Sequence, residues 1–402
     1  MPKLLVRDLA QVVSPAGETA PLRGAAAGGL DVVEDAYVLC DGPRIAAVGR
    51  MADLGELGED VEELDGRGRA AVPGLVDCHT HACFAGDRAA EFDLRAGGAS
   101  YEELHAAGGG ILSTVSATRA AGEDGLAAAL TRHRGWMLAA GTTTFEAKSG
   151  YGLDRDTELA QLHVIREAGG VPTWLGAHAV PSEFPDADAY LDFALAEVLP
   201  EAARVAEAAD VFVERGAFDA AQARLYLEAA RAAGLALRLH ADQFSEAGGI
   251  ELGIELGARS VDHLEATGEE GVRALAATDV AAVLLPVAAL FLGRPMPPGR
   301  QLLEAGATLA LATDFNPGSA YCERLPVAMT LACTQIGLPS AVALVAATVN
   351  AAHVLDRADR VGRLAPGYTA DLVLVDAPDW RHLAYHLAGE TIALVVKDGV
   401  VV

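Results

Sequence analysis

The chain of 402 residues is acidic, with 56 Asp and Glu residues against 30 Lys and Arg and a formal net charge of −26. Such a surface repels phosphate backbones and anionic lipids, which excludes nucleic acid and membranes as expected partners. No run of about 18 apolar residues is present to span a bilayer. The N-terminus carries charges where a secretion signal needs apolar residues, and the 5 cysteines include no CxxC pair, so we expect free thiols and a cytoplasmic location.

Short apolar runs bounded by turn residues predict β-strands at both ends of the chain. The runs lie at residues 4–6, 36–39, 45–48, 371–375 and 392–396. Strands that are far apart in the sequence can still pair into one unit beside the middle of the chain. We therefore predict a small β-sandwich domain made of residues 1–70 together with 356–402.

The middle of the chain alternates eight apolar runs with helical segments rich in Ala, Glu and Arg. Strand–helix units in such a series predict a parallel (β/α)₈ barrel rather than an open sheet. We expect the barrel to occupy residues 71–355, so the fold class is α/β, a TIM-like barrel with a small β-sandwich. The apolar runs are 74–81, 142–148, 172–179, 210–215, 235–241, 259–263, 280–286 and 308–314.

The connection between the first two runs is unusually long and contains the glycine-rich stretch 83–113. Long loops in compact domains are usually functional. Because this loop follows the first strand, we expect it to lie over the mouth of the barrel.

Five histidines fall at the predicted carboxyl ends of strands. These strand ends form the active site in barrels of this kind, and converging imidazoles predict a metal ion. Cys78 lies between two of them in sequence but should point to the opposite face of its strand, so we expect it to pack in the core. The histidines are His79, His81, His178, His240 and His263.

The spacing of His79 and His81 puts both rings on one face of a strand, where they can bind one cation. His240 ends the fifth run and Asp314 ends the eighth. A carboxylate at the end of a buried strand is costly unless it is paired or bound to metal. The alternatives are an ordinary polar His pair, and a helix cap or salt bridge for Asp314. Three imidazoles and one carboxylate leave room for water, as hydrolytic metals need.

His263 ends the sixth run and has three possible roles. It is a further metal ligand, an imidazole that polarises a substrate carbonyl, or a core histidine. We favour the polarising role because four ligands are already present.

These residues, together with the stretch from Pro73 to His81, resemble the amidohydrolase superfamily. Its members share a (β/α)₈ barrel and a small β-sandwich made from both chain ends. Many hold two metals bridged by a carboxylated lysine on the fourth strand. Here residues 211–215 read VFVER and contain no lysine, which favours the single-metal branch.

Longer motifs over nearly the whole chain resemble the imidazolonepropionase family within this superfamily. One departure lies in the segment LLPVAA at 284–289. The family pattern has a glycine after the proline, and this chain has Val287 at that position. The motifs are DCHTH at 77–81, GDRAAEF at 86–92, GGGILSTV at 108–115, KSGYGL at 148–153, LGAHAVP at 175–181, LHADQF at 239–244 and TDFNPGS at 313–319.

The resemblance implies hydrolysis of 4-imidazolone-5-propanoate to N-formimidoyl-L-glutamate, a step of histidine breakdown, by a homodimer acting on this small molecule. It implies one Zn²⁺ or Fe³⁺ ion per subunit, with Asp314 and His263 as catalytic residues. The implied metal ligands are His79, His81, His240 and Asp314. The implied substrate contacts are Arg88, Tyr151, His178, Gln243 and Ser319, and the implied product contacts are Asn316 and Gly318.

These implied roles agree with the chemistry of the side chains. Arg88 can grip the propanoate carboxylate with two parallel hydrogen bonds, and Gln243 can donate to and accept from a ring amide. Tyr151 and His178 can donate hydrogen bonds to substrate oxygens. The alternatives are a surface salt bridge for Arg88 and simple packing for Tyr151.

Two other functions remain open on the sequence. A deaminase or another cyclic amidase of the superfamily uses much the same metal ligands. A non-catalytic metal-binding barrel belongs to a different class and would have gaps in the ligand set.

Overall fold

The computed structural model describes residues 3–58, 60–98 and 109–402. Over these ranges the chain forms a parallel barrel of eight strands and a separate mixed sheet built from both chain ends. The predicted fold class is therefore confirmed. Among the described residues, no helix combines the length and the apolar character that crossing a membrane requires.

The mixed sheet joins the first and last parts of the chain. Strand β1 pairs antiparallel with β2 on one side, and in parallel with β4 and then β5 on the other. The C-terminal strands join through β14, which pairs antiparallel with β5. The strands are β1 (Lys3–Pro15), β2 (Leu30–Asp41), β3 (Arg44–Arg50), β4 (Val61–Asp65), β5 (Ala70–Pro73), β14 (Leu372–Val375), β15 (Ile392–Lys397) and β16 (Val400–Val401).

Every apolar run predicted at the chain ends lies in one of these strands, except that Asp371 directly precedes β14. Alternate residues of β1, β2 and β14, such as Val6, Val38 and Leu372, pack into one buried cluster, as the two-residue period of a strand requires. The sheet includes β5 as far as Pro73. The exact domain limits, 1–70 with 356–402 and 71–355, stay a prediction.

The barrel strands follow one another in sequence order, and each pairs in parallel with the next. The ends of the series meet where the amide of Asp314 donates to the carbonyl of His79 at 3.0 Å. This closure brings two predicted ligand segments side by side. The strands are β6 (Leu75–Asp77), β7 (Thr142–Lys148), β8 (Val171–Ala177), β9 (Ala208–Val213), β10 (Ala236–Ala241), β11 (Ser260–His263), β12 (Ala281–Leu284) and β13 (Leu309–Leu311).

Helices surround the barrel, and local capping explains where two of them begin. Asp154 accepts a hydrogen bond from the amide of Thr157, and Asp219 forms a capping box with Gln222. The described helices are α1 (Ala89–Ala96), α2 (Ile111–Ala139), α3 (Arg155–Glu167), α4 (Ala187–Phe193), α5 (Leu199–Ala202), α6 (Ala220–Ala232), α7 (Gly249–Leu256), α8 (Glu269–Ala276), α9 (Pro286–Phe291), α10 (Gly299–Ala305), α11 (Leu325–Leu331), α12 (Ser340–Ala346), α13 (Val349–Val354) and α14 (His382–Tyr385).

The long connection after β6 contains α1 and leads into α2. Gly108, predicted to belong to its glycine stretch, lies outside the described residues, as does the rest of 99–108. At the seventh strand, β12 ends at Leu284 and Pro286 begins the short helix α9, in which Val287 is buried. The departure from the family motif therefore falls in a helix that starts directly after a barrel strand.

Candidate active site

The four predicted metal ligands meet at the carboxyl end of the barrel, and all four are buried. His79 and His81 follow β6, His240 lies in β10, and Asp314 follows β13. Oδ1 of Asp314 lies 3.5 Å from Nε2 of His79 and 3.4 Å from Nε2 of His81. Nε2 of His81 and Nε2 of His240 are 3.3 Å apart.

These separations fit a single metal ion. Ligand atoms bound about 2.0–2.2 Å from a tetrahedral ion lie about 3.3–3.5 Å from one another. Nε2 of His79 and Oδ1 of Asp314 are buried, and neither has a hydrogen-bond partner in the described part of the chain. Buried polar atoms without a hydrogen-bond partner destabilise a protein. A cation bound where these atoms converge would satisfy them.

His263 lies at the edge of the same cluster. One of its ring nitrogens is within 4.8 Å of ligand atoms of His79 and His240, and the residue lines the cavity described below. Its backbone has a φ of 86°, a strained conformation for a residue with a side chain. His263 therefore lies where each of the three roles considered for it is geometrically possible.

Carboxylates hold the outer nitrogens of two ligand rings. Nδ1 of His79 lies 2.6 Å from Asp262, and Nδ1 of His240 lies 3.0 Å from Asp210. A carboxylate at Nδ1 keeps the proton there, so that Nε2 presents its lone pair to the cluster. Neither aspartate was predicted as a site residue from the sequence. A carboxylate inside an otherwise apolar strand run was the signal that could have revealed them.

A buried lysine completes this outer layer. The Nζ atom of Lys148 lies 2.8 Å from Asp210 and 2.7 Å from Glu146, and all three side chains are fully buried. Burial opposes the charge of Lys148, but Asp210 and Glu146 outweigh it and raise its pKa. The fourth barrel strand, β9, has no lysine. The ammonium group of Lys148, on the second barrel strand, instead pairs with Asp210 on β9.

His240 and Asp314 are held in the forms that bind metals. Burial lowers the pKa of His240 to about 3, so its imidazole is neutral. Burial also opposes the charge of Asp314, but the adjacent imidazoles of His79, His81 and His263 outweigh it and hold its pKa well below the ordinary value. Neutral imidazole and ionised carboxylate are the species that coordinate a cation. Burial and the charge of Lys148 oppose protonation of His79, but Asp262 and Asp314 outweigh them and raise the pKa of His79 to about 9, so a metal ion has to displace a proton there.

A cavity of about 350 Å³ opens onto this cluster. All seven residues predicted to contact substrate or product line it: Arg88, Tyr151, His178, Gln243, Asn316, Gly318 and Ser319. Its wall also contains residues that the sequence analysis did not name as contacts: Glu91, Arg95, Ile111, Phe212, Phe244 and Leu292.

Arg88 lines the cavity as one partner of an ion pair with Glu91. Its Nε donates to Glu91 at 2.8 Å, and its Nη2 donates to the other oxygen of the same carboxylate. The side chains are only 16% and 12% exposed, so this is not a surface salt bridge of the kind considered from the sequence. The pair is electrically neutral, and it leaves part of the Arg88 guanidinium at the cavity wall.

His178 and Tyr151 form one wall of the cavity. Nδ1 of His178 lies 2.9 Å from the carbonyl of Gly150, so this nitrogen carries the proton. Burial and the neighbouring His81 and His240 lower the pKa of His178 well below its ordinary value. Its Nε2 therefore offers a lone pair and accepts hydrogen bonds, whereas the sequence led us to expect His178 to donate to a substrate oxygen. Burial raises the pKa of Tyr151, which keeps its hydroxyl protonated as a donor.

Asn316 shapes the loop that follows Asp314. Its Nδ2 donates to the carbonyl of Asp314 at 2.6 Å and to Ser319 Oγ at 2.8 Å, and its Oδ1 accepts from the amides of Gly318 and Ser319. All four hydrogen-bonding positions of the amide are thus used within the loop. Asn316 consequently fixes where Gly318 and Ser319 meet the cavity.

Residues 70–402 match the model of the amidohydrolase family. The imidazolonepropionase of Rubrobacter xylanophilus is 61% identical over 405 residues, which cover 98% of this chain and 97% of that protein. The imidazolonepropionase of Chloroflexus aggregans is 46% identical and covers 99% of this chain and 98% of its own length.

Solved structures agree on the fold. A triazine hydrolase variant has a TM-score of 0.74 at 20% identity, covering 99% of this chain and 94% of its own. An adenosine deaminase from Xanthomonas campestris with bound zinc has a TM-score of 0.71 at 21% identity, covering 99% and 92%. These distant likenesses bear on the fold alone. The family match and the full-length relatives decide the assignment: the chain belongs to the amidohydrolase family, and within it to the imidazolonepropionases.

Proposed function

We propose that the protein hydrolyses the cyclic amide of 4-imidazolone-5-propanoate and releases N-formimidoyl-L-glutamate. One observation carries this proposal: the cavity that opens onto the His/Asp cluster is also lined by Arg88, Tyr151, His178 and Gln243. A metal cluster alone would suit many amides. A guanidinium in the same cavity favours a ring that bears a carboxylate. Relatives called imidazolonepropionase at 61% and 46% identity support the same substrate.

We assign one metal ion per subunit to His79, His81, His240 and Asp314. Three imidazoles and one carboxylate suit zinc and ferric iron alike. When bound, the ion acts as a Lewis acid and lowers the pKa of water from about 15.7 toward 7. Elemental analysis of protein purified without added metal distinguishes zinc from iron.

Asp314 is the proposed proton carrier. Its carboxylate accepts a proton from the attacking water, whose oxygen forms a bond to the ring carbonyl carbon. His263 stabilises the negative charge that develops on the carbonyl oxygen. The ring C–N bond then breaks, and Asp314 returns the proton to the departing nitrogen. The first products are a carboxylic acid and a formimidoyl nitrogen, with one water consumed. The new carboxylic acid then gives its proton to the basic formimidoyl group or to solvent and becomes a carboxylate, so atoms and charge balance.

The other cavity residues orient the ring. Arg88 binds the propanoate carboxylate and Tyr151 donates to a substrate oxygen. His178, with its proton on Nδ1, accepts from a ring N–H at Nε2. Gln243 donates to and accepts from the N–C=O edge of the ring. In addition, Ser319 contacts the substrate, and Asn316 and Gly318 contact the product.

A turnover assay tests the proposal. Freshly prepared imidazolonepropanoate should lose its absorbance with the purified metal-loaded protein, and protein treated with a chelator should be inactive until metal is restored. Ammonia release from purines and pyrimidines is measured in parallel. Ammonia release without imidazolone loss would replace this proposal with a deaminase, and hydrolysis that survives complete metal removal would contradict it.

We also propose that the protein is a cytoplasmic homodimer. Its thiols are free among the described residues, which suits a reducing compartment. Sedimentation velocity tests the dimer. Limited proteolysis tests the proposed division into residues 71–355 and the two terminal segments 1–70 and 356–402.

A further inference from the structure

Helix α1 presents three charged side chains to the cavity. Arg88 precedes its first residue, and Glu91 and Arg95 follow three and seven positions later. This spacing places all three on one face of a helix, and all three line the cavity. The family resemblance assigns a role to Arg88 alone.

Both arginines lie against the same residue on the opposite wall. Nη1 of Arg95 lies 3.4 Å from the carbonyl oxygen of Gly318. A Cβ atom added at Gly318 would collide with Nη1 of Arg88. The two guanidinium groups therefore occupy one end of the cavity, and Gly318 is the point at which both approach the backbone.

Glu91 satisfies Arg88 rather than Arg95. Its two oxygens accept from Nε and Nη2 of Arg88, and one of them also accepts from the amide of Gly110 at 2.7 Å. Among the described residues, Arg95 has no carboxylate within ion-pair distance. Its guanidinium lies 5.2 Å from the ring centre of Phe291, which holds it in place through a cation–π contact.

The charges of Arg88, Glu91 and Arg95 determine how well this end of the cavity can accept a carboxylate. Arg88 and Glu91 sum to zero, so a substrate carboxylate placed beside that pair alone would add an unbalanced buried charge, which is costly. With Arg95 included, the described residues at this end of the cavity carry one net positive charge, and one carboxylate neutralises it. We propose that Arg95 is a second carboxylate-binding residue and determines the preference for acidic substrates. This inference rests on the proposed function for the identity of the substrate.

Binding of a stable analogue tests the proposal without turnover. Imidazole-4-propanoate and its primary amide differ only in the charge of the side chain, and their imidazoles meet the metal cluster alike. Calorimetric titration of the metal-loaded protein gives the ratio of the two affinities. We expect the wild type to prefer the acid and Arg95→Ala to reduce the ratio roughly tenfold to hundredfold. Arg95→Lys should restore part of it, since it keeps the charge but not the fork.

A matched control is Arg132→Ala. Arg132 also stacks on an aromatic ring, Trp136, at 5.5 Å, but it does not line the cavity. The control should keep the wild-type ratio. An unchanged ratio in Arg95→Ala, an equal loss of both ligands, or a wild type that binds the acid no better than the amide would each overturn the proposal.

Turnover separates this inference from the proposed function. If the wild type fails to convert imidazolonepropanoate, the proposed function is wrong. The ratio of the affinities for the acid and the amide still tests whether Arg95 binds a carboxylate. If the wild type is active, Arg95→Ala should raise KM for imidazolonepropanoate by a similar factor while kcat changes little. An effect on kcat alone would contradict a role in carboxylate binding.

Discussion

Nδ1 of His79 lies 2.6 Å from Oδ2 of Asp262, and both side chains are completely buried. His79 follows β6 and Asp262 lies in β11, two strands that are not neighbours in the sheet, so only the closed barrel brings the residues together. Asp262 precedes His263 in the chain, and one short strand thus supplies both the orienting carboxylate of one histidine and a second imidazole at the cluster.

Asp262→Asn should weaken metal binding. An amide cannot hold the Nδ1 proton of His79 as a carboxylate does, so we expect affinity to fall about tenfold to hundredfold. Competition with a chromogenic chelator measures it. Asp279→Asn is the control, because the Asp279 side chain is 93% exposed. Equal metal affinity in Asp262→Asn and the wild type would rule out an orienting role.

Asp314→Asn should separate metal binding from catalysis. The amide can still offer an oxygen to the ion but cannot accept a proton, so we expect kcat to fall by about 10²–10⁴-fold while much of the metal is retained. Metal content and turnover are measured on the same preparation. Turnover close to that of the wild type would show that another group carries the proton.

Lys148→Met should destabilise the protein strongly. The change removes the ammonium that lies within 2.8 Å of Asp210 and Glu146. It leaves the buried carboxylate of Asp210 without its cation and leaves Glu146 with Arg238 alone. Breaking a buried ion pair in this way costs about 3–5 kcal/mol. Urea unfolding measures the loss. Lys3→Met, at a half-exposed pair with Asp41, should cost about 1 kcal/mol or less, and a similar cost for both variants would contradict the prediction.

His133 should make stability depend on pH. Its Nδ1 lies 2.8 Å from the carbonyl of Ala82, and burial lowers its pKa below the ordinary value of 6.5. The unfolded chain therefore binds more protons than the folded one just below pH 6.5. The contribution of the neutral His133 to the free energy of unfolding is fully present above pH 6.5. It is lost as the pH falls toward the lowered pKa of His133 in the folded protein.

His133→Asn keeps a donor for Ala82 but cannot be protonated, so it should remove this part of the pH dependence. Between pH 7.5 and 5.5 we expect the loss of unfolding free energy to be smaller in the variant by up to about 1 kcal/mol. Urea unfolding at both pH values measures it. The same change at the exposed His163 is the control. Identical pH dependence of His133→Asn and the wild type would refute the assignment.

The sequence was enough to predict the barrel and its four ligand residues. Apolar runs must be buried, and eight of them alternating with helices have few ways to pack other than a closed parallel barrel. His79, His81, His240 and Asp314 stand at the ends of such runs, where polar groups at a common rim face one another. Their roles as ligands follow from the chemistry of the side chains and stay a prediction.

Only the tertiary structure paired the remaining charges. Lys148 and Asp210 lie on strands that are not neighbours in the sheet, and they meet because side chains from the second and fourth strands point into the same interior. The tautomer of His178 likewise depends on the carbonyl of Gly150, whose position is set by the fold. Residue type and spacing determine which groups need partners, whereas the closing of the barrel decides which partner each group reaches.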